Sequence, residues 1–313
     1  MLRYGRMLAV GALLGSGALL ASGVAAAPAS AAPTGTTAAT AVCSLRLGSV
    51  TPGGDHTLQT VTATPSAGAR RVGPKDLYPD GQARLPSSMR YEPVVPAGEQ
   101  RQGLAVVGPR MYRTSYMTDG TGTAVVPGSV SQTLIAGGWS DDYKYVERSE
   151  YSGTSFSREN VYALAIDPLN GLIIRWTVTD TGWRYRTAFP GFKAVKTMAL
   201  IGQGARYDTF LATTNGGALY TVQVPTGSGK PVVTKIRTST WQGFETLVAE
   251  KCGNYGTLLL GIDKNTRAGY LYAVGHANGT ATVIKGLGKV PTTFAAGDSY
   301  FRSYLAGTHL NGA

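Results

Sequence analysis

The sequence predicts an all-β fold, and within that class a β-propeller, on three observations. First, the aromatic residues Tyr143, Phe192, Phe244 and Phe294 begin similar segments at separations of 49, 52 and 50 residues. Second, Asn-Gly and Asp-Gly pairs, which favour hairpin turns, recur along the chain. Third, the chain has 42 glycines and only 15% charged residues, with β-forming residues between turn clusters. Repeats of about fifty residues built from short strands are typical of propeller blades.

The N-terminal residues predict a secretory signal peptide. Arg3 and Arg6 form a basic start, and the run 7–21 is apolar but rich in glycine and serine. The small residues that end at Ala31 form a cleavage site, so we expect residues 1–31 to be removed. The protein is therefore predicted to be secreted and extracellular.

After the predicted cleavage site, residues 32–42 are dominated by alanine and threonine and predict a flexible lead-in. Residues 43–313 are long enough for one propeller domain. No later stretch approaches the roughly 18 apolar residues that a membrane-spanning helix needs, so no membrane span is expected.

The third copy of the repeat illustrates the predicted blade. Its inner strand is expected over 244–248 and its second strand over 257–262. A third strand is expected over 270–274, followed by a turn at Asn278-Gly279 and an outer strand over 280–285. The aligned apolar-Tyr pairs of the three copies are predicted to be equivalent; these are Val161-Tyr162, Leu219-Tyr220 and Leu271-Tyr272.

The repeat predicts five blades of about fifty residues, although six are also compatible with the spacing. Tyr91 lies 52 residues before Tyr143 and indicates an earlier blade. Residues 294–312 supply only half of a last blade, which the strand-like residues 45–64 can complete. Pairing N- and C-terminal strands in one blade would close the ring and remove exposed sheet edges.

The two cysteines, Cys43 and Cys252, are predicted to form a disulfide. Their number is even, and a secreted protein is exposed to oxidising conditions in which a disulfide persists. The bridge would join the start of the domain to a loop 209 residues away.

The formal net charge is +11, and it falls to +9 once Arg3 and Arg6 are removed. A basic exported protein is attracted to anionic surfaces such as cell-wall polymers. The positive residues are dispersed and no nucleic-acid-binding module is present, so nucleic acid is not an expected partner.

Two segments resemble the tachylectin family of five-bladed propeller lectins. The segment 137–145 (GGWSDDYKY) resembles the family's Gly-Gly-Trp-led inner strand, and 269–274 (GYLYAV) resembles a second family motif. The family binds amino sugars at sites repeated between blades. The resemblance therefore implies a propeller scaffold and a glycan ligand, as in secreted propeller lectins of actinobacteria.

Tryptophan suits a sugar site because it presents a large apolar face and one polar N–H. Two clusters of a tryptophan with nearby polar residues give the candidate carbohydrate-binding residues, which are Trp139, Asp141, Asp142, Trp241, Asn254 and Tyr255. The alternative role for both tryptophans is to fill gaps between blades.

The predicted function is a non-catalytic, lectin-like protein that binds cell-surface or cell-wall glycans without a cofactor. The three histidines lack metal-ligand spacing and no nucleophile motif is present, which disfavours an enzyme. One alternative is a propeller glycoside hydrolase with paired carboxylates at a central funnel. Its candidate residues are Glu92, Asp141, Asp142, Glu245 and Asp298. The other alternative is an interaction subunit that docks a protein partner in a secreted antibacterial toxin assembly.

Overall fold

The secondary structure of the computed structural model, which describes residues 43–166, 171–180 and 182–312, consists of β-strands and one short 3-10 turn, Gly279–Ala281. No α-helix occurs in these ranges. The all-β prediction is therefore confirmed. The predicted signal peptide and lead-in, residues 1–42, lie outside the described residues.

The strands follow one another with short connections. In the first third of the domain they are β1 (Ser44–Val50), β2 (His56–Thr62), β3 (Ser66–Ala67), β4 (Arg71–Val72), β5 (Ala83–Arg84), β6 (Met89–Pro93), β7 (Glu99–Val107), β8 (Arg110–Thr118) and β9 (Ser131–Gly137). The next four are β10 (Tyr143–Ser152), β11 (Ser157–Ala165), β12 (Leu172–Thr179) and β13 (Gly182–Pro190). Then come β14 (Val195–Gln203), β15 (Tyr207–Thr214), β16 (Leu219–Pro225) and β17 (Val232–Arg237). The last five are β18 (Thr246–Cys252), β19 (Gly256–Asp263), β20 (Ala268–Val274), β21 (Ile284–Lys289) and β22 (Ser299–Leu305).

Three four-stranded antiparallel sheets are built from consecutive strands, β10–β13, β14–β17 and β18–β21. The remaining strands form one larger sheet in the order β3-β2-β1-β22-β6-β7-β8-β9, with β4 beside β2 and β5 beside β7. In this sheet β1 pairs antiparallel with β22, and Leu47 lies opposite Arg302. A short parallel pairing, with Ser303 opposite Met89, joins β22 to β6. The pairing predicted between the first and last strands of the domain is thus present.

The arrangement is β-propeller-like because the first strands of successive sheets lie side by side around a small central cavity. Strand β14 lies next to both β10 and β18, and β22 lies next to both β18 and β6. Between β6 and β10, the backbone N–H of Ser88 donates to Glu147 Oε1 at 3.0 Å. Residues at or beside all five of these strands line the cavity.

Apolar clusters lie between successive sheets and form the core. Leu164 and Ile173 pack with Met198 and Phe210 between the β10–β13 and β14–β17 sheets. Similar clusters fill the following junctions, and Leu45 of β1 packs against Leu260 of β19. Each sheet therefore buries both of its faces only because it has a neighbour on each side.

The predicted strands of the third copy agree with the structure at their centres and differ at their ends. Strands β19 and β20 contain the predicted segments 257–262 and 270–274. Phe244 precedes β18 instead of beginning it, and β21 begins at Ile284, four residues later than expected. The cause of the second shift is the 3-10 turn after Asn278, which replaces the expected two-residue hairpin.

One predicted equivalence is wrong. Tyr220 and Tyr272 lie in the third strands of their sheets, β16 and β20, whereas Tyr162 lies in β11, a second strand. The residue of the β10–β13 sheet that matches these tyrosines is Trp176, in the third strand β12. The three four-stranded sheets have the same strand order. The β10–β11 hairpin is longer than its counterparts, so the sequence alignment matched a residue of its second strand to third-strand residues of the other two sheets.

The predicted disulfide is confirmed. Cys43 and Cys252 are bonded, and their Cα atoms lie 5.4 Å apart. Both cysteines pack against the apolar cluster between the β18–β21 sheet and strands β1 and β2. The bond holds the chain immediately before β1 to the end of β18.

A neutral histidine is built into the core of the first sheet. His56 is 2% exposed, and its Nδ1 lies 2.6 Å from the hydroxyl oxygen of Tyr116. Its ring contacts Tyr78 and Phe301 at centroid distances of 5.5 and 5.6 Å. Burial, together with the nearby positive charge of Arg101, lowers the pKa of His56 to about 3.

We expect this histidine to make the fold sensitive to mild acid. In the unfolded chain the imidazole titrates near pH 6.5, so below that pH the unfolded state binds a proton that the folded state excludes. The free energy of unfolding should fall by roughly 1.4 kcal/mol per pH unit between pH 6.5 and the folded pKa, or about 2 kcal/mol from pH 6.5 to pH 5. Urea denaturation at the two pH values measures this loss.

The variant His56→Asn is the control, because it removes the titrating group. Between pH 6.5 and pH 5 the variant should lose less free energy of unfolding than the unmodified chain. The difference between the two losses should be most of the expected change of about 2 kcal/mol. An equal loss in both proteins would show that other groups cause the acid sensitivity.

Candidate functional site

Three of the four tryptophans of the chain lie together between the β6–β9 strands and the β10–β13 sheet. The ring of Trp139 lies 4.5 Å from that of Tyr143 and 5.8 Å from that of Trp176, measured between centroids. Trp176 in turn lies 5.4 Å from Trp183. Together these four aromatic residues, Trp139, Tyr143, Trp176 and Trp183, form what we call the tryptophan cleft.

A tight turn directs Trp139 inward as the chain leaves β9. Gly138 has φ +81°, a left-handed conformation that strains residues with a side chain. The backbone N–H of Trp139 donates to the carbonyl of Pro109 at 3.1 Å, and its carbonyl accepts from Arg84 Nη2 at 2.6 Å. The indole is 3% exposed and packs at the floor of the cleft.

A β-bulge positions Trp176 and Trp183 on facing strands. Thr177 of β12 lies opposite Arg184 of β13. Two residues earlier on β12, Arg175 lies opposite Thr187, which is three residues after Arg184, so β13 has one extra residue here. The irregular residues include Tyr185, which has φ +50° and is 78% exposed at the edge of the sheet. Bulges of this kind redirect side chains and are enriched beside binding sites.

The tryptophan cleft encloses about 440 Å³, within the range of small-ligand sites. Besides the four aromatic residues, its lining residues are Ile135, Ala136, Gly137, Gly182 and Arg184. The buried Nε1 of Trp183 has no hydrogen-bond partner within the described ranges. The cleft presents several flat aromatic faces, which suit the C–H face of a sugar ring.

The structure separates Trp139 from the two aspartates predicted to act with it. The Asp141 side chain is 98% exposed and its Oδ1 lies 3.6 Å from Arg84 Nε. Asp142 Oδ2 accepts a hydrogen bond from Ser140 Oγ at 2.8 Å. Neither aspartate lines the cleft that Trp139 helps to form.

The second predicted cluster is not brought together. Trp241 lies before β18 and packs against Phe244 and Tyr272, with centroid distances of 5.7 and 4.7 Å. Asn254 and Tyr255 lie in the turn after β18, which is seven residues and so roughly 20 Å long. There the ring of Tyr255 contacts His276, and the Asn254 carbonyl accepts from Asn311.

The five carboxylates considered for hydrolysis lie in different places. Glu92 is near the end of β6, whereas Glu245 directly precedes β18 and pairs with Lys196 at 2.7 Å. Asp298 is 2% exposed and accepts hydrogen bonds from Ser49 and Arg70, outside the central cavity.

The central cavity itself encloses about 120 Å³ and is smaller than a typical ligand site. The buried carboxylate there is Glu147, which accepts hydrogen bonds from Ser88 N and Oγ at 3.0 Å each. Burial raises the pKa of the Glu147 carboxyl. The hydrogen bonds between Glu147 and Ser88 join neighbouring inner strands. The cavity is too small to hold a polysaccharide chain.

Sequence reasoning missed Trp176 and Trp183. A signal for Trp176 was present, because it occupies the third-strand position held by Tyr220 and Tyr272 in the next two sheets. Trp183 had no such signal, since its place in the cleft depends on the bulge in β13.

Within the described ranges no group of three or more His, Cys, Asp or Glu side chains is placed to hold a metal ion. Nor do these ranges contain a helix long and apolar enough to cross a membrane.

No protein-family model matches the chain, and no curated protein matches it. Among solved structures, a mutant of the apocarotenoid oxygenase of Synechocystis is similar over 84% of this chain, with 8% identity and a TM-score of 0.33. The matched part spans 60% of that structure.

Proposed function

We propose that this chain is a secreted five-bladed β-propeller whose first and last strands complete one blade. The support is the set of five inner strands around the central cavity, together with the pairing of β1 with β22. The disulfide is compatible with export, because such bonds persist outside the cytosol.

The propeller binds carbohydrate, and its tryptophan cleft is the binding site. The observation that carries this proposal is the concentration of three of the four tryptophans at one junction between sheets, around a cleft of ligand size. The segment that resembles tachylectins, 137–145, supplies Gly137, Trp139 and Tyr143 to this cleft. Glycans of a cell surface or cell wall are the proposed partners, and the site needs no cofactor.

Trp176 and Trp183, which are only partly buried, are the residues to test. Each of Trp176→Ala and Trp183→Ala should weaken glycan binding about tenfold, or about 1.4 kcal/mol, because an aromatic face against the sugar is lost. A glycan array and a cell-wall pull-down identify the ligand, and titration calorimetry then measures the affinity of each variant.

Tyr255→Ala is the matched control, since Tyr255 is an exposed aromatic residue on another sheet. Its affinity for the identified glycan should equal that of the unmodified chain. Blank results from both the array and the pull-down would exclude the lectin function. Binding that survives both tryptophan substitutions would exclude this cleft as the site.

A further inference from the structure

A second cleft lies on the opposite face of the β10–β13 sheet, where it meets the β14–β17 sheet. It encloses about 750 Å³. Phe189 and Phe192 form its floor and are 5% and 6% exposed. Its other lining residues include Thr187, Pro190, Ala194, Tyr220 and Lys230. We call this the phenylalanine cleft.

The phenylalanine cleft differs from the tryptophan cleft in its chemistry. Phe192 precedes β14 much as Trp139 precedes β10, so a ring without a donor stands where the other cleft has an indole. The aliphatic side chains of Val195, Val222 and Val233 extend the apolar lining. The hydroxyls of a sugar placed here would lose their hydrogen bonds to water and gain few hydrogen bonds to the protein, which disfavours a purely polar ligand. An apolar ligand has no such hydrogen bonds to lose.

The charge at this cleft is positive. Lys230 is the one charged residue among those described as lining it, and no acidic side chain is among them. A second cation is close, because Lys235 Nζ lies 5.7 Å from the centroid of the Tyr220 ring. The apolar floor and the cationic edge together fit a ligand with an apolar body and a negatively charged head.

We propose that the phenylalanine cleft binds a small amphipathic anion, an aliphatic or aromatic body that carries one carboxylate. The proposal does not depend on the carbohydrate function, because the two clefts lie on opposite faces of one sheet. Strand β13 contributes to both, with Trp183 and Arg184 in one cleft and Thr187 to Pro190 in the other. The bulge at Tyr185 lies between these two parts of the strand.

The probe is dodecanoate below its micellar concentration, titrated calorimetrically into the purified chain. Dodecylammonium, which has the same apolar body and the opposite charge, is the comparison ligand. We expect dodecanoate to bind at least tenfold more tightly than dodecylammonium. In Lys230→Glu this preference should be abolished or reversed, whereas Lys285→Glu, an exposed lysine of β21, should keep it.

A second variant tests the location. Ala194 is exposed at the edge of the cleft, so Ala194→Trp should fill the space and remove dodecanoate binding while leaving the melting temperature unchanged. Trp183→Ala should leave dodecanoate binding unchanged. The proposal is overturned if dodecanoate does not bind, if both ligands bind equally well, or if Lys230→Glu retains the preference for dodecanoate. Undiminished binding to a folded Ala194→Trp variant would also overturn it.

Discussion

Removal of the Cys43–Cys252 disulfide by the double substitution Cys43→Ser and Cys252→Ser should lower the free energy of unfolding by about 2–5 kcal/mol. The bond closes a loop of 209 residues, most of the domain. Without it, the unfolded chain gains the conformational freedom that the crosslink removed, and this gain increases with loop length. The effect should therefore lie toward the upper end of the range.

Urea denaturation of the oxidised chain and of the double variant measures this difference. Reduction of the unmodified chain is the matching control, because it breaks the same bond without changing residues. Both treatments should shift the midpoint to lower urea concentration. A midpoint that stays within error of the oxidised chain in both cases would contradict the prediction.

The substitution Asp208→Ala should destabilise the fold by about 3–5 kcal/mol, because it leaves a buried cation without its partner. Asp208 is 0% exposed and lies in β15. Its carboxylate accepts hydrogen bonds from Arg158 Nη2 at 2.6 Å and from the hydroxyl of Tyr162 at 2.7 Å. Both donors belong to β11 of the preceding sheet, so the loss would weaken the junction between two sheets.

Thermal and urea denaturation measure this loss, and two further variants show its cause. Arg158→Met combined with Asp208→Leu should recover part of the stability, since an apolar pair leaves no unpaired buried charge. Asp141→Ala should leave stability unchanged, because that ion pair is exposed to solvent. A double variant no more stable than Asp208→Ala would indicate that hydroxyl donors such as Tyr162 carry the effect.

The sequence predicted those parts of the fold that local patterns encode. Apolar segments between turn signals located β19 and β20, and two cysteines in a chain predicted to be exported sufficed to predict their bond. The pairing of β1 with β22 followed from the incomplete last copy of the repeat. These predictions depended on short-range periodicity or on counting, and neither needs tertiary information.

The candidate site was less predictable because long-range packing creates it. Trp139 was identified, but its neighbours Trp176 and Trp183 follow it by 37 and 44 residues, and a bulge without a clear sequence signal orients them. The aspartates that follow Trp139 were chosen for closeness along the chain, yet the turn after β9 buries the indole and leaves Asp141 in solvent. Burial of Trp139 also means that its substitution tests stability as much as binding.

The pairing of β1 with β22 has a consequence for how the chain reaches its native state. Strand β1 obtains its inner neighbour only when residues 299–305 are available, some 250 positions later in synthesis. Until then one edge of β1 has no partner, and contacts this distant in sequence form slowly. The other sheets, each made of consecutive strands, are under no such constraint. Assembly of the first-synthesised strands should therefore finish last, with unpaired edges exposed to aggregation for the longest time.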